Sequence, residues 1–346
     1  IQVTMWAALF ATFACEAGAT VVGVTGTRGK STVTAMISAI LRAGEKNVAE
    51  GGNVQGTSVL SQLAAVSAET TAVLELDSWK LQGFGEVKMS PHIAVFTTLY
   101  QDHLNYYAKQ PEQYLADKAN IFLYQKPEDT LILGKQCAAI VIDKYGGKIE
   151  AKTLVVDETK LPDTWVLKIP GMHNRYNAAL ALAAARALNI PDDTSRRALE
   201  AFSGVPGRLE LIAEKDGVKV YNDTTSTTPE ATNVAITALS DVGLPMSHII
   251  LIMGGTDKGL DMSALIDKLS GLKRIVLLAG NGTDRIKGQL PDAAIYRSIS
   301  EAVKDAFAHA ESGDTILFSP AFTSFGMFKN EYDRGDQFNA LVKSYG

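Results

Sequence analysis

The chain has 346 residues, 46% of them hydrophobic and 21% charged, a balance typical of a globular protein with room for two domains. Its net charge of −5 argues against a general affinity for nucleic acid or for an anionic membrane surface. Because Cys15 and Cys137 are its only cysteines, neither a disulfide framework nor a cysteine metal cluster is supported, and two reduced thiols in a cytoplasmic protein are expected.

The first apolar stretch, residues 5–15, is rich in alanine and could be mistaken for a membrane or export segment. No Lys or Arg precedes it, Glu16 interrupts it, and a glycine-rich loop follows within a few residues. We therefore predict a buried helix that leads into a core strand.

The most informative segment is VVGVTGTRGKST, at residues 21–32. A valine-rich strand ends in a glycine turn, and Gly-Lys-Ser-Thr opens a helical pattern with apolar residues at 33, 36, 37, 40 and 41. This order predicts a phosphate-binding loop, because glycines let backbone N–H groups point at an anion beside a helix N-terminus. Lys30 is predicted to reach the outer phosphates and the Ser31 hydroxyl a magnesium ion. The strict motif has a glycine where Val24 stands, so the loop is a variant.

Beyond this loop, β-branched apolar runs alternate with helical patterns. Strands are predicted at residues 20–24, 71–76, 92–97, 130–133, 248–253, 274–278 and 315–318. Helices are predicted at residues 32–42, 111–122, 174–188, 228–239, 263–269, 300–310 and 330–344. The alternation predicts an α/β fold, with mostly parallel sheets covered by helices on both faces. Short strands and turn residues at 130–168 predict a small antiparallel patch in addition.

A Gly- and Pro-containing segment at residues 203–207 is the best candidate for a hinge between two domains. Two short strands, 209–213 and 218–222, follow it and flank Asp216-Gly217, a strong hairpin signal. A new βαβ series then begins. We predict a central ATP-binding P-loop domain at 1–205 and a C-terminal Rossmann-like α/β domain at 206–346.

Three further candidates follow the loop along the chain. Glu75 closes a predicted strand, Asp102-His103 follows the next strand, and Lys118 lies on a helix. Ligands bind at the carboxyl ends of strands in open α/β sheets, which favours a functional role for the first two. Each also has a plain structural explanation: a capping carboxylate, a loop histidine and a solvated lysine. Their order after this particular loop favours the functional interpretation.

In this combination the chain resembles the Mur ligase family of ATP-dependent amide-bond ligases, from about residue 20 to the C-terminus. The matching pieces are TGTRGKS at 25–31, GGN at 51–53, ELDS at 75–78, DH at 102–103, Lys118, GMHN at 171–174 with Asn177, PGR at 206–208, ND at 222–223, GGTDK at 254–258 and SPAFTS at 319–324. Each motif is weak evidence alone, but together, in this order, they strongly indicate the resemblance.

The resemblance implies that the central domain binds ATP and two magnesium ions. The implied ATP-binding residues are Gly26, Thr27, Arg28, Gly29, Lys30, Ser31 and Thr32, with Asn174 and Asn177 near the adenine and Arg208 and Asp223 reaching the nucleotide from the second domain. Ser31 and Glu75 would hold one magnesium ion, and His103 and Lys118 would serve the second. The catalytic set is then Lys30, Glu75, His103 and Lys118. In the family the lysine matching Lys118 is carbamylated, which replaces an ammonium by an oxygen ligand that a hard cation can bind.

The same resemblance implies the substrates. Asn53 would lie near the acceptor, and Thr227, Lys258 and Ser324 would contact the carboxylates of the amino acid. The implied reaction adds D-glutamate to UDP-N-acetylmuramoyl-L-alanine through an acyl phosphate, in cytoplasmic peptidoglycan precursor synthesis, by a chain expected to be a monomer. For Thr227 and Ser324, capping of helices at 229–239 and 325–328 is an alternative explanation.

Two other functions stay open. One is a related Mur-type ligase with another acceptor or amino acid, such as a poly-γ-glutamate or lipid-linked precursor ligase; the other is a P-loop ATPase that joins no substrates. The loop lies close to the start of this sequence, whereas ligases of this kind carry a UDP-binding domain ahead of it. Glu331, followed by Tyr332, also stands where glutamate ligases often carry phenylalanine.

Overall fold

The structure is a computed structural model that describes residues 4–51, 59–100, 107 and 111–345. It divides the chain into two compact units. The first contains the chain up to Leu167 together with His173–Phe202, and the second contains Lys168–Met172 together with the chain from Ser203 onward. Each unit is built on one six-stranded sheet.

The first unit alternates strands with helices that cross over between them. Its elements are α1 (Trp6–Glu16), β1 (Thr20–Thr25), α2 (Lys30–Ala43), β2 (Asn47–Gly51), β3 (Thr70–Glu75), α3 (Ser78–Glu86), β4 (Ile93–Phe96), α4 (Pro111–Ala119), β5 (Thr130–Gly134), α5 (Lys135–Tyr145), β6 (Lys152–Val156), α6 (Met172–Ala187) and α7 (Asp192–Ala201). The strand order is β2-β3-β1-β4-β5-β6, and every pair is parallel.

The prediction of a small antiparallel patch at residues 130–168 is wrong. β5 and β6 pair in parallel, from Thr130 opposite Lys152 to Gly134 opposite Val156. The reason is α5, which was missed: its buried residues Cys137, Ala138 and Val141 recur at helical spacing. A helix between two neighbouring strands carries the chain back across the sheet, so that the strands run the same way.

The helix α1 is buried along one side, as predicted. Ala7, Phe10, Ala11 and Ala14 are fully covered and belong to the same hydrophobic core as Val21 of β1. This explains the alanine-rich composition, because small side chains let a helix approach a sheet closely. In the described part of the chain, no helix is both long enough and apolar enough to cross a membrane.

The second unit begins with a hairpin and continues as a parallel α/β sheet. Its elements are β7 (Glu210–Lys215), β8 (Val218–Asn222), α8 (Pro229–Asp241), β9 (Ile249–Gly254), α9 (Ser263–Leu269), β10 (Arg274–Leu278), α10 (Asn281–Ile286), β11 (Ala294–Tyr296), α11 (Ile299–Ala308), β12 (Thr315–Phe318) and α12 (Glu331–Ser344). The predicted hairpin is confirmed, since β7 and β8 pair antiparallel and Asp216 and Gly217 both take the positive φ values that a two-residue turn needs.

The strand order of this sheet is β11-β10-β9-β12-β8-β7. From β9 the chain first builds outward through β10 and β11, and then returns to place β12 on the other side of β9. This is the Rossmann-like arrangement that the sequence predicted. The reversal of order between β9 and β12 opens a crevice at the carboxyl ends of these strands, where ligands bind in such sheets.

Candidate active site

The phosphate loop occupies residues 26–29, between the end of β1 and the start of α2. Gly26 and Gly29 have φ values of 145° and 86°, which favour glycine. A Cβ atom on Gly26 would lie 2.0 Å from Thr97 Oγ1, and one on Gly29 would lie 2.6 Å from Asn177 Oδ1. Val24 is buried inside β1, so the turn begins two residues after the position where the strict motif has its first glycine.

Two threonines that follow β4 hold this loop from the side. The backbone N–H of Arg28 donates to Thr98 Oγ1 over 2.9 Å, and the N–H of Thr27 donates to the Thr98 carbonyl over 2.7 Å. The Thr97 hydroxyl donates to the Arg28 carbonyl over 2.5 Å. The loop backbone is therefore fixed by the protein itself, which lowers the cost of ordering it around a ligand.

Lys30 and Lys118 converge on the loop from two different helices. Lys30 Nζ donates to the carbonyls of Gly26 and Thr27, over 3.1 and 3.2 Å. Lys118 Nζ donates to the same Gly26 carbonyl over 3.0 Å and to Thr25 Oγ1 over 3.2 Å. Ser31 and Thr32 lie half-buried in the first turn of α2, and Arg28 is exposed.

The solvated-lysine explanation for Lys118 is wrong. Its side chain is 1% exposed, and its ammonium lies 4.7 Å from the centre of the Tyr114 ring. A buried cation beside a phosphate loop is costly unless partners compensate it, which points to a functional position. As an ammonium it donates hydrogen bonds and cannot bind a metal ion; a carbamate on the same atom would supply oxygen ligands.

Glu75 ends β3 beside β1, with Val24 as its register partner. Glu75 is 2% exposed, and no group in the described part of the chain donates a hydrogen bond to its carboxylate. It does not cap α3, because Asp77 does so by accepting from the N–H of Lys80 over 2.8 Å. Burial alone would raise the pKa of Asp77, but hydrogen bonds from Lys80 hold it below its usual value. A buried carboxylate without a donor, at the ligand-binding edge of the sheet, fits an oxygen ligand for magnesium.

Asn174 and Asn177 lie in the first two turns of α6. Both are buried, and Asn177 Nδ2 donates to Asn174 Oδ1 over 3.4 Å. The proximity of Asn177 Oδ1 to Gly29 places this pair against the phosphate loop. Asn53 and His103 lie outside the described residues. Across the ranges that are described, no three His, Cys, Asp or Glu side chains form a metal-binding group.

The second unit gathers several predicted residues at the carboxyl ends of its strands. Asp223 follows β8 and accepts hydrogen bonds from the Leu209 N–H, Ser226 Oγ and Ser319 Oγ, over 3.0, 2.5 and 2.7 Å. Its burial raises its pKa from 3.8 to about 6, although these donors and the charge of Arg208 act in the opposite direction. The Arg208 side chain itself is exposed.

Thr227 and Lys258 are brought together by the fold, since Lys258 Nζ donates to Thr227 Oγ1 over 3.1 Å. Burial lowers the pKa of Lys258, while the negative charge of Glu331 partly offsets this. The capping explanations are wrong for both threonine and serine. Thr228, the next residue, caps α8 through the Ala231 N–H, and residues 325–327 form a turn rather than a helix after Ser324.

Arg334 is a further residue of this region that the sequence analysis missed. Its side chain is fully buried on α12 and donates to Thr224 Oγ1, to the Thr224 carbonyl and to the Phe322 carbonyl. Burial lowers its pKa from 12.5 to about 10. It joins the loop after β8 to the loop after β12. The sequence did carry a signal for its burial: Arg334 lies four and eight residues before Phe338 and Val342, on the same buried face of α12.

A parallel sheet with a prebuilt phosphate loop, followed by a Rossmann-like unit, defines an α/β nucleotide-binding protein of the P-loop class. Comparison with known proteins agrees with this class and narrows it. The model of the Mur ligase middle domain matches residues 24–164, and that of the Mur ligase glutamate ligase domain matches residues 207–322.

The curated relatives include two UDP-N-acetylmuramoylalanine--D-glutamate ligases. That of Roseiflexus sp. (strain RS-1) is 33% identical and aligns with 94% of this chain and 76% of its own length. That of Streptococcus sanguinis is 34% identical and aligns with 94% of this chain and 74% of its own length. The chain belongs to the Mur ligase family and is an ATP-dependent amide-bond ligase.

Solved structures share the fold at lower identity. MurF ligase from Thermotoga maritima, in complex with ADP, superposes with a TM-score of 0.71 at 18% identity and covers 99% of this chain and 84% of its own. E. coli FolC in complex with ADP superposes with a TM-score of 0.70 at 17% identity and covers 100% of this chain and 96% of its own.

Proposed function

We propose that the chain joins D-glutamate to the carboxylate of UDP-N-acetylmuramoyl-L-alanine at the expense of ATP. The observation that carries the proposal is the convergence of Lys30 and the buried Lys118 on the Gly26 carbonyl of the phosphate loop. The names of the curated relatives supply the two substrates. We also propose that the protein is a monomer and acts in the cytoplasm, where ATP is available.

In the first step the acceptor carboxylate attacks the γ-phosphorus of ATP, giving an acyl phosphate and ADP. The N–H groups of Thr27 and Arg28 donate to Thr98, so those of Gly29 and of the N-terminus of α2 would bind the phosphates. Lys30 would exchange its carbonyl partners for phosphate oxygens and stabilise the charge on the transferred group, so that catalysis is mainly positioning and electrostatic. Asn174 and Asn177 would contact the nucleotide at the start of α6, and Arg208 and Asp223 would bind it from the second unit.

In the second step the amine of D-glutamate attacks the acyl phosphate and expels phosphate. Lys258 and Thr227 form a cation and hydroxyl pair that suits a carboxylate, and Ser324 adds a second hydroxyl. Asn53 would contact the acceptor. Holding both reactants in place converts a reaction between separate molecules into one within a single complex.

The proposal includes two magnesium ions in the first unit. Ser31 and Glu75 would hold one, and His103 and a carbamylated Lys118 would hold the other. When bound, they would neutralise charge on the phosphates. Carbamylation can be tested by ¹³C NMR after incubation with ¹³C-bicarbonate, which should give a carbamate signal that is absent from Lys118→Ala.

The function is tested by phosphate release in the presence of ATP, acceptor and D-glutamate. A ligase releases phosphate only when both other substrates are present, and oxygen from an ¹⁸O-labelled acceptor carboxylate should appear in that phosphate. Release without either substrate would instead identify an ATPase. Release without transfer of the label would exclude the acyl phosphate.

A further inference from the structure

A cavity of about 450 Å³ lies at the carboxyl ends of β9, β10 and β12, in the crevice where the strand order reverses. Gly254 and Gly255 form part of its wall with φ values of 122° and 140°. A Cβ atom on Gly255 would lie 2.4 Å from the Thr323 carbonyl oxygen, so glycine is needed where the backbone turns beside the cavity. The position is one where Rossmann-like sheets bind ligands.

Two arginines line the cavity. Among the residues the structure describes, neither Arg297 nor Arg334 forms an ion pair, and both line the cavity. Arg334 is buried and its hydrogen bonds go to a hydroxyl and to two carbonyls, all of them neutral. Arg297 is exposed and makes no hydrogen bond to a described residue. It is therefore the cation that an incoming anion can reach.

The acids nearest in sequence to the cavity have other partners. Asp257 pairs with Arg285 over 2.9 Å, and Asp284 pairs with Lys287 over 2.7 Å. Glu301 accepts from Ser298 Oγ over 2.9 Å. Glu331 acts electrostatically on both Lys258 and Arg334, and no ion pair joins it to Arg297, which the structure also describes. A cation left without a counter-ion at the mouth of a cavity favours an anionic ligand.

The strand order separates Arg297 from Thr227 of the proposed amino-acid site. Arg297 directly follows β11 at one edge of the sheet, and Thr227 follows β8 beyond β12. With ~4.8 Å between neighbouring strands, β11 and β8 lie ~19 Å apart. Lys258, after β9, donates to Thr227, and Arg297 lines the cavity. Ser324 lines the same cavity and follows β12, which lies between β11 and β8 in the strand order.

We propose that Arg297 is a specificity-determining residue that binds the second carboxylate of a dicarboxylic amino acid whose first carboxylate is held by Lys258 and Thr227. The inference rests on the proposed function for the identity of that amino acid. Arg297 lines the same cavity as Ser324 of the proposed amino-acid site, and Lys258 contacts Thr227 of that site. Two cations at one site distinguish a molecule with two negative groups from one with a single negative group. Replacement of one carboxylate by an amide leaves one cation without its charged partner, which lowers the affinity for that molecule.

The test is the preference of the 346-residue chain for D-glutamate over D-glutamine. In Arg297→Gln, we expect the KM for D-glutamate to rise about 10- to 100-fold, the range that a charge-assisted hydrogen bond supports. The KM for D-glutamine and that for ATP should change little, so the preference between the two amino acids should collapse. Arg297→Lys should recover part of it. Lys304→Gln, which removes one exposed charge from α11, is the matched control and should behave as wild type.

Isothermal titration with D-glutamate, D-glutamine and inorganic phosphate separates this inference from the proposed function. If wild type shows no D-glutamate-dependent phosphate release, the proposed function fails, while D-glutamate binding that Arg297→Gln weakens still supports the inference. Wild-type ligation with an unchanged preference in Arg297→Gln overturns the inference alone. It is also overturned if wild type does not bind D-glutamate, or if the binding lost in Arg297→Gln is that of phosphate.

Discussion

The two units use the carboxyl ends of their sheets in different ways. In the first, the ligand-facing groups are mostly backbone: the loop at residues 26–29 is shaped by two glycines and fixed by Thr97 and Thr98. In the second, they are long side chains such as Lys258 and Arg297, which are exposed and reach their positions from different strands. The proposed nucleotide site thus rests on a loop that the protein itself holds in place, whereas the proposed amino-acid site depends on exposed side chains.

The largest expected effect comes from removing the cation of the prebuilt site. Lys30→Ala should lower the rate of ligation by about 10³-fold, the scale seen when one group that stabilises transition-state charge is lost. The KM for D-glutamate should stay close to its wild-type value, because the second unit is untouched. Steady-state kinetics with each substrate varied in turn measures both, and exposed Lys46→Ala is the control. Near-normal turnover in Lys30→Ala would remove the basis for placing ATP at this loop.

In the second unit, the buried Asp223 predicts a pH effect on stability. Its pKa is about 6 in the folded chain and 3.8 when unperturbed, so the folded state binds the proton more tightly than the unfolded state. Its contribution is therefore fully present below about pH 4 and is lost as the pH rises through 6, by up to about 3 kcal/mol. In Asp223→Asn this loss should be absent.

Native-state hydrogen exchange in β8 and β12, followed from pH 4 to 7, measures the stability of the second unit and not that of the whole chain. The difference between wild type and Asp223→Asn should widen with pH in favour of the variant. A difference that is constant with pH would mean that Asp223 is ionised throughout this range, and that its three donors outweigh its burial.

Because the proposed amino-acid site is made of side chains in the second unit, a substitution there should change the KM for D-glutamate without changing the KM for ATP. Lys258→Ala should raise the KM for D-glutamate about 10- to 100-fold through loss of a charged hydrogen bond, and should leave the KM for ATP nearly unchanged. Lys343→Ala, which removes an exposed charge from α12, provides the comparison. Equal changes in both KM values would contradict the assignment of the amino acid to this unit.

The strength of the hydrophobic pattern decided which elements could be predicted from the sequence. The strands at the centres of both sheets were found because they are continuous β-branched runs, and α2 was found because its apolar residues recur at helical spacing. Edge strands were harder: β2 and β11 are short and carry partly exposed residues, so their pattern is weak. The helix α5 was not predicted, because its apolar face is short and polar residues stand at 135, 136, 143 and 144.

The same reasoning applies to the sites. A phosphate loop is local in sequence, so its residues could be named before the fold was known. Lys118 and Glu75 could be proposed, but their burial beside the loop depends on how α4 and β3 pack. Arg297 belongs to no local pattern, and Arg334 shows only a helical spacing from buried residues. Their place at the cavity depends on strands that are far apart in the chain.

The smallest predicted effect tests whether the hydrogen bond from Thr97 to the loop backbone helps to shape the first site. Thr97→Val keeps the side-chain shape and removes the hydrogen bond that its hydroxyl donates to the Arg28 carbonyl. One neutral hydrogen bond is worth about 1 kcal/mol, so the KM for ATP should rise about fivefold while that for D-glutamate does not change. Thr153→Val, on the exposed edge strand β6, removes a hydroxyl of similar type away from the loop and should leave both values unchanged. If Thr97→Val also leaves the KM for ATP unchanged, the Thr97 hydroxyl is not part of what prepares the loop for the nucleotide, and its glycines and Thr98 hold its shape.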